Sequence, residues 1–240
     1  MLATPVLAFV ALCSHVSKTR VILYHKSAGV VTTHAEADVL GRPNVYQEVA
    51  ASAKTSHQNM SSEFAEQTWH AVGRLDADTT GLLLLTNDGG LVHHVTTNKT
   101  ISKTYEAVIM GHHENTADIF ETIRREGVDI GQKYGGRTLP VPDLRVIDHP
   151  SRTSTTVSLS LREGKNRQVR RMFHAVGSGV MRLRRTHIGC GLTLTSVPNP
   201  GMWRFLTDEE IFDYLGWICR PVAHVPQVKS VRGRRRNYKH

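Results

Sequence analysis

The sequence is short of the features that mark disulfide-rich, metal-dependent and membrane-spanning proteins. It has three cysteines, Cys13, Cys190 and Cys219. An odd number at wide spacing forms neither a disulfide framework nor a CxxC metal motif, and it favours a reducing compartment. Although histidines number 14, no HExxH motif occurs. The apolar stretch over residues 2–13 is too short to cross a bilayer. We therefore expect no metal site and no membrane as a partner.

Acidic residues are missing from the beginning of the chain. No Asp or Glu precedes Glu36, whereas Lys18, Arg20 and Lys26 supply positive charge among small and hydroxylated residues. This composition is typical of an organellar transit segment, although an ordinary first β-strand is an equal alternative. Residues 1–18 are therefore a candidate targeting segment. They predict a mitochondrial or other organellar matrix location, with the cytoplasm as the alternative.

Positive charge exceeds negative charge along the chain. Lys and Arg number 30 against 21 Asp and Glu, which gives a net charge of +9. Such an excess usually serves a polyanion, and nucleic acid is the leading candidate. Residues 229–240 contain six Lys or Arg and no acid, so we expect them to be disordered alone and attracted to phosphate. The 40% hydrophobic content predicts a globular domain over residues 19–220, followed by a basic tail over residues 221–240.

The hydrophobic pattern predicts an α+β fold with more strand than helix. Strands are predicted over residues 20–25, 29–33, 69–72, 81–86, 102–110, 155–161 and 180–188. Helices are predicted over residues 43–50 and 114–126, after the turn Asn87-Asp88-Gly89, after residue 166 with Val169, Met172, Phe173 and Val176 on one buried face, and from a capping box formed by Thr207 and Glu210. Residues 51–67 are polar and predict an exposed insertion or a boundary between lobes.

The most specific segment is Gly-Arg-Leu-Asp-Ala-Asp-Thr-Thr-Gly-Leu-Leu-Leu-Leu-Thr-Asn-Asp-Gly, over residues 73–89. It places Asp76 in a tight loop beside an apolar strand, where partial desolvation penalises charge. Such a carboxylate is a nucleophile, a base or a structural anchor. Asp88 is explained by turn formation, but composition alone does not choose between Asp76 and Asp78.

A second constellation is the arginine-rich region over residues 161–187, whose single acid is Glu163. A solvated charged helix is the usual meaning of such a run. Arginine dominates lysine here, however, and planar guanidinium groups suit bidentate phosphate contacts, which favours an RNA-facing surface. The third segment, Lys103-Thr104-Tyr105, lies on a predicted strand, where Tyr105 alone is as compatible with core filling as with function.

These three segments, in their order along the chain, resemble pseudouridine synthases of the RsuA type. The hallmark of that family is the G-R-L-D-x-x-T-x-G-L-L-L-L-T-N-D-G block, which residues 73–89 match. Further matching segments are Tyr24-His25-Lys26, Gly29-Val30-Val31, Lys103-Thr104-Tyr105, Glu163-Gly164-Lys165-Asn166-Arg167-Gln168-Val169-Arg170-Arg171-Met172, Arg182-Leu183-Arg184-Arg185, Ile188-Gly189 and Gly201-Met202-Trp203-Arg204-Phe205-Leu206-Thr207. The resemblance covers the chain from about residue 20 to 216.

The resemblance implies a pseudouridine synthase fold, with a mixed, largely antiparallel sheet in two halves, flanking helices and RNA across the central cleft. It implies that Asp76 is the catalytic carboxylate, that Tyr105 lies beneath the flipped base and that Arg170 pairs with Asp76. Arg74 corresponds to the residue that enters the RNA stack. The other residues expected at the RNA are Lys103, Lys165, Asn166, Arg167, Gln168, Arg171, Arg182, Arg184 and Arg185. No cofactor, small-molecule or metal, is implied.

The expected function is isomerisation of uridine to pseudouridine in ribosomal RNA or a ribosomal precursor particle, with ribosomal or assembly proteins as further partners. Ser27 departs from the family pattern, which has proline there, and the start is too short for the small RNA-binding module of many relatives. These departures affect which RNA is chosen. One alternative is an RNA-binding ribosome assembly factor with dispensable or lost catalysis. Another is a hydrolase that uses Asp76 with Asp78 and releases uracil or cuts RNA.

Overall fold

Strands dominate the molecule, as the hydrophobic pattern predicts. The computed structural model describes residues 16–34, 38–55 and 67–223. The strands are β1 (Val16–Lys18), β2 (Val21–Lys26), β3 (His70–Ala71), β4 (Thr79–Thr86), β5 (Lys103–Met110), β6 (Arg145–Ser151), β7 (Ser154–Leu161), β8 (Val180–Ile188), β9 (Leu192–Thr193), β10 (Trp203–Phe205) and β11 (Pro221–Ala223). The helices are α1 (Val45–Thr55), α2 (Gly89–Thr97), α3 (Asp118–Arg125), α4 (Gln168–Ala175) and α5 (Asp208–Leu215), with 3₁₀ turns at Gln132–Tyr134 and Leu194–Ser196.

The central sheet consists of two antiparallel halves joined by one parallel pair. Its strand order is β10-β2-β4-β8-β5-β7-β6, with β3 paired to β4 and β9 paired to β8. The parallel pair is β4 with β8, in which Gly81 lies opposite Arg185. Every other pairing in this sheet is antiparallel. The predicted α+β fold with a mixed, largely antiparallel sheet in two halves is therefore confirmed.

The continuous apolar run of β4 is explained by burial on both faces of the sheet. Leu82 and Leu84 pack into a core with Leu91 of α2, whereas Leu83 and Leu85 face a separate core that includes Val45 of α1. A strand covered on both sides has no need of alternating polar residues. β4 is consequently a rigid support for the loop that precedes it.

The second half of the sheet has one apolar and one polar face. Val157, Leu159 and Leu161 of β7 pack in a third core, together with Phe120 of α3 and Phe173 of α4. The intervening residues of β7 are hydroxylated, and they point to the opposite face. α4 therefore packs on the apolar face through the buried residues that its spacing predicts, although Val176 lies just beyond its end.

Several predicted boundaries differ from the structure for local reasons. The strand predicted over residues 29–33 is a single bridge between Val31 and Asn44. The helix predicted over residues 114–126 begins only at Asp118. β6 was not predicted, because it contains Pro150 and lacks clear alternation. Of the predicted insertion at residues 51–67, residues 51–55 complete α1, and residues 56–66 lie outside the described part.

The two ends of the described chain meet. β1 pairs with β11 in a separate antiparallel sheet, with Ser17 opposite Val222. Three residues of the candidate targeting segment thus pair with three residues of the basic tail; the rest of both segments, including residues 229–240, lies outside the described residues. Within the described ranges, no helix is long and apolar enough to span a bilayer.

Candidate active site

The loop that carries Asp76 is held from behind by the segment after β2. Gly73 adopts a φ of 76°, which only glycine takes up readily, and turns the chain out of β3. The hydroxyl of Thr32 donates to the carbonyl of Leu75 at 3.0 Å and accepts from its N–H at 3.4 Å. The N–H of Thr79 donates to the Asp76 carbonyl at 3.1 Å. The backbone on both sides of Asp76 is therefore fixed, while its side chain keeps 31% exposure.

A fully buried lysine fastens the same loop from below. Lys26 ends β2, and its Nζ donates to the carbonyls of Ser27 at 2.9 Å, Ala77 at 3.3 Å and Thr79 at 2.9 Å. Burial lowers the pKa of Lys26 to about 8, against the opposing effect of the nearby aspartates. The sequence shows Lys26 among the matching segments but not as a site residue. A lysine that ends an otherwise buried strand was the available signal.

The arginine that contacts Asp76 is Arg167, which corrects the prediction that Arg170 would do so. Nη1 of Arg167 lies 3.3 Å from Oδ2 of Asp76. Arg170 instead places Nη2 3.0 Å from Oδ2 of Asp78 and donates from Nη1 to the Val180 carbonyl at 3.0 Å. The difference arises because Arg167 precedes α4, at its N-cap, whereas Arg170 lies within the first turn.

Tyr105 and Arg185 form neighbouring parts of the cleft wall, opposite each other on β5 and β8. Arg185 is buried and donates from Nε to the Leu82 carbonyl at 2.6 Å. Its Nη1 reaches the Tyr105 hydroxyl at 3.5 Å, while its buried Nη2 finds no acceptor among the described residues. An unsatisfied guanidinium donor of this kind costs free energy unless a ligand supplies an acceptor.

These groups surround a cleft of about 460 Å³ at the junction of the two half-sheets. Most of the residues that the sequence predicts for the site line it: Arg74, Asp76, Lys103, Tyr105, Lys165, Asn166, Arg167, Gln168 and Arg185. Arg74 is exposed, at the side of the cleft where the chain turns from β3 into the Asp76 loop. The cleft thus gathers residues from four separate matching segments of the sequence.

Three of the predicted RNA contacts brace the cleft wall. Lys103 donates its amino group to the carbonyls of Val95 at 3.0 Å and Ile101 at 2.8 Å, and burial, with the charge of Arg185, lowers its pKa to about 8. Lys165 donates to the carbonyls of Gly135 and Arg137. Gln168 is buried and donates to Glu163 at 2.7 Å. Their polar groups are engaged within the protein.

The remaining predicted contacts lie at the rim or outside the cleft. Arg171 donates to the Asn166 carbonyl at 3.1 Å and stacks over the Tyr134 ring. Arg182 and Arg184 are exposed and alternate along β8 with Leu183 and Arg185, which line the cleft. They therefore lie on the opposite face of the sheet, where Arg184 pairs with Glu106. Arg182 and Arg184 therefore lie outside the cleft, and their contact with RNA stays a prediction.

One group of side chains with metal-ligand chemistry occurs in the described ranges. Potential ligand atoms of His112, Glu114 and His149 lie within 4.8 Å of one another. None of the three residues lines the cleft. Two carboxylates line the cleft: Asp76, which has a guanidinium beside it, and Glu163, whose carboxylate accepts from Gln168 and from the Leu139 N–H.

The comparisons with known proteins agree with the cleft chemistry. The profile of the family described as RNA pseudouridylate synthase matches residues 20–175. Over 194 residues the chain is 37% identical to ribosomal small subunit pseudouridine synthase A of Vibrio cholerae, covering 80% of this chain and 72% of that protein. The protein of the same name from Escherichia coli is 42% identical over 148 residues, which cover 59% of this chain and 57% of that protein.

A solved structure described as a crystal structure of pseudouridylate synthase shares the fold. Its TM-score is 0.60 at 28% identity, and the match covers 80% of this chain and 72% of that one. The family profile extends from β2 to the end of α4, and so includes Asp76, Tyr105 and Arg167. The protein belongs to the RNA pseudouridylate synthase family.

Proposed function

We propose that the protein isomerises uridine to pseudouridine in small-subunit ribosomal RNA, with Asp76 as the catalytic carboxylate. The observation that carries the proposal is the position of Asp76, which is partly exposed in a cleft of about 460 Å³ with Arg167 at 3.3 Å. Asp78 is the weaker candidate, because its carboxylate pairs with Arg170 and it is not among the residues that line the cleft.

The cleft provides what a flipped nucleotide needs. A uridine within folded RNA must leave its stack before its glycosidic bond can react, and an aromatic ring and guanidinium groups offset the lost stacking. Tyr105 supplies the ring, and Arg185 supplies a buried donor beside it. Arg74, exposed at the edge of the cleft, is placed to contact the RNA beside the base that leaves the stack.

The reaction conserves all atoms of the nucleotide. The bond between uracil nitrogen 1 and ribose carbon 1′ breaks, the uracil turns, and carbon 5 bonds to carbon 1′ while its proton is released and nitrogen 1 gains one. Asp76 acts on this nucleotide, and Arg167 holds the carboxylate in place. Holding the freed uracil within the cleft favours rejoining over release, because the two reacting fragments stay in close proximity.

Ribosomal RNA is the proposed substrate for two reasons. The relatives from Vibrio cholerae and Escherichia coli are named as ribosomal small subunit pseudouridine synthases. The net charge of +9 also suits a large polyanion. We also propose that the protein meets this RNA in a ribosomal precursor particle, with ribosomal or assembly proteins as neighbours, and so takes part in ribosome biogenesis.

The test is to map pseudouridine in ribosomal RNA by carbodiimide-stop sequencing in cells that carry the wild-type protein, Asp76→Asn or Asp78→Asn. We expect one or a few sites to vanish with Asp76→Asn and to persist with Asp78→Asn. If no site changes while loss of the whole protein impairs ribosome formation, the assembly-factor alternative is correct. Released uracil or cut RNA would indicate the hydrolase.

We also propose that the protein acts in an organelle, with the mitochondrion as the leading candidate. The support is the chain up to Glu36, which has no acidic residue. Because β2 is a core strand, the test should not remove it; residues 1–18 fused to a fluorescent protein are sufficient. We expect the fusion to accumulate in mitochondria, and a uniform cytosolic distribution would contradict the proposal.

A further inference from the structure

A second cavity, of about 350 Å³, adjoins the catalytic cleft. The two share Gly73 and Arg74, so one arginine borders both. Its lining includes the rings of His34, Tyr46 and His70. Arg74 is the one residue predicted for the site that also lines this space, and the proposed reaction does not use the space.

Three rings form one wall of the second cavity. The imidazole of His34 stacks on Tyr46 with 4.4 Å between ring centroids and 19° between planes, and His70 approaches His34 edge-on at 5.7 Å. The Tyr46 hydroxyl lies 2.9 Å from Nε2 of His34 and accepts from the Ala71 N–H at 3.0 Å. These contacts hold the rings in place before any ligand arrives, while His34 remains exposed.

The ring wall is connected rigidly to the catalytic loop. His34 follows Thr32, whose hydroxyl holds the backbone of Leu75 next to Asp76. His70 lies on β3, and the chain passes from β3 through Gly73 to Arg74. A ligand in the second cavity is therefore held at a fixed offset from one in the cleft.

The charge of the lining selects the ligand. Arg74 is the one Lys, Arg, Asp or Glu among the residues that line the second cavity. Partial desolvation of the ring, together with the nearby His70, lowers the pKa of His34, which favours an uncharged ring at neutral pH. Uncharged aromatic faces beside a single guanidinium match the chemistry of a nucleobase with its phosphate, since every base stacks on such rings.

We propose that the second cavity binds an unpaired base of the substrate RNA, a neighbour of the target uridine on the same strand, by stacking on His34 and His70. Arg74 contacts the phosphate between the two nucleotides. The inference rests on the proposed function in taking RNA as the substrate. It adds a subsite that selects RNA in which a second base, next to the target, is free to leave its stack.

The test measures binding of a short fluorescein-labelled oligouridylate by anisotropy across a range of salt concentrations. The variants are the double substitution His34→Ala with His70→Ala, the ring-retaining His34→Phe, and His112→Ala as an exposed histidine outside both cavities. Thermal unfolding of each variant checks that the fold is retained. Stacking is worth about 1–3 kcal/mol per base, so we expect the double variant to bind roughly 5- to 150-fold more weakly.

The salt dependence separates stacking from charge. Loss of stacking releases no counterions, so the double variant should keep the wild-type salt slope, whereas Arg74→Ala should reduce the slope by about 0.7. His34→Phe should bind within a few-fold of wild type. A double variant that binds as tightly as wild type, or wild-type protein that does not bind the oligomer, would overturn the subsite.

Failure of the subsite and failure of the reaction give different results. If wild-type protein modifies ribosomal RNA and the double variant shows the same KM and the same oligomer affinity, the subsite is wrong and the reaction stands. If wild-type protein forms no pseudouridine but binds the oligomer more tightly than the double variant does, the subsite stands and the reaction is wrong. With both correct, the double variant raises KM more than it lowers kcat.

Discussion

At the scale of single residues, Arg167 combines an unusual backbone with the contact to Asp76. Its φ of 49° is the one positive value for a residue other than glycine in the described chain. A left-handed conformation costs an ordinary L-residue about 1–2 kcal/mol. Such conformations persist where the surroundings enforce them, and they concentrate at functional sites. Here the strained N-cap turns the guanidinium back to the loop before β4.

We predict that Arg167→Gly retains or raises stability while it lowers pseudouridine formation. Glycine relieves the backbone strain of the folded state, and its greater freedom in the unfolded chain offsets this gain to within about 1 kcal/mol. The variant also loses the charged contact with Asp76, which should lower the rate roughly 10-fold or more. Arg170→Gln should lower stability and leave pseudouridine formation largely unchanged, because Arg170 is only 13% exposed and donates to the Val180 carbonyl. Thermal unfolding and a tritium-release assay measure both effects; equal loss of stability in the two variants would contradict the assignment.

Lys26 predicts a dependence of activity on pH. Its pKa is lowered to about 8, so its amino group is protonated below pH 8. Above pH 8 the group has one donor fewer for the carbonyls of the Asp76 loop. We expect kcat to fall several-fold between pH 7 and pH 9. The unfolded chain keeps the proton up to about pH 10.5, so this group makes the free energy of unfolding rise from about pH 8 to about pH 10.5.

The matched control for Lys26 is Lys103, whose pKa is also lowered to about 8. In Lys103→Met the alkaline fall of kcat should remain, because Lys103 is bonded to Val95 and Ile101 and makes no contact with the Asp76 loop. If the alkaline fall of kcat disappears in Lys103→Met, Lys26 is not the cause of that fall.

At the scale of secondary-structure elements, the parallel contact of β4 with β8 brings the two half-sheets together at the cleft. The approach is close at Gly81, which has a φ of 104° and lies opposite Arg185. A Cβ at this position would lie 2.1 Å from the Arg185 carbonyl oxygen and 2.6 Å from its nitrogen. Only glycine allows the strand that follows Asp76 to pass so close to the strand that carries Arg185.

We predict that Gly81→Ala destabilises the protein by about 3 kcal/mol or more. Overpacking against backbone typically costs about 1–3 kcal/mol, and the positive φ adds about 1–2 kcal/mol. Gly89→Ala is the control, because its φ is not positive and no atom lies within 4 Å of the added Cβ. Denaturant unfolding should leave the control near wild type. A Gly81→Ala protein of wild-type stability would mean that the two strands separate easily.

At the scale of the whole molecule, the sequence predicts elements better than contacts between them. The bounds of β8 follow from its residue pattern, and the capping box of α5 follows from Thr207 and Glu210. The partner of Asp76 depends on where α4 begins and on one left-handed residue, which no periodicity reveals. The placement of Arg182 and Arg184 likewise depends on which face of β8 meets the cleft.

The same limit applies to Asp88, which the sequence explains only as a turn residue. Asp88 caps α2 by accepting from the Gly90 N–H at 2.9 Å, and its Oδ2 accepts from Thr19 at 2.9 Å and Trp217 at 3.2 Å. Oδ2 also lies 3.4 Å from Nε of Arg220. One carboxylate thus joins the segment before β2, the start of α2 and the chain before β11.

We predict that Asp88→Asn lowers the free energy of unfolding at pH 7 by about 1–2 kcal/mol, since asparagine still caps a helix but loses the charged contacts. Burial raises the pKa of Asp88, but hydrogen bonds from Arg220, Thr19 and Gly90 outweigh it and lower the pKa overall. A lowered carboxylate pKa stabilises the fold above about pH 4 and loses that effect as pH falls further.

The difference between wild type and Asp88→Asn should therefore be constant from pH 7 to about pH 5 and should shrink below about pH 4. Calorimetric unfolding over this range measures it, with Asp213→Asn as a control at an exposed position of α5. The control should differ little from wild type at any pH. If the Asp88 difference persists unchanged at pH 3, the lost stability comes from geometry at the helix cap, and the carboxylate charge does not hold the two ends of the described chain together.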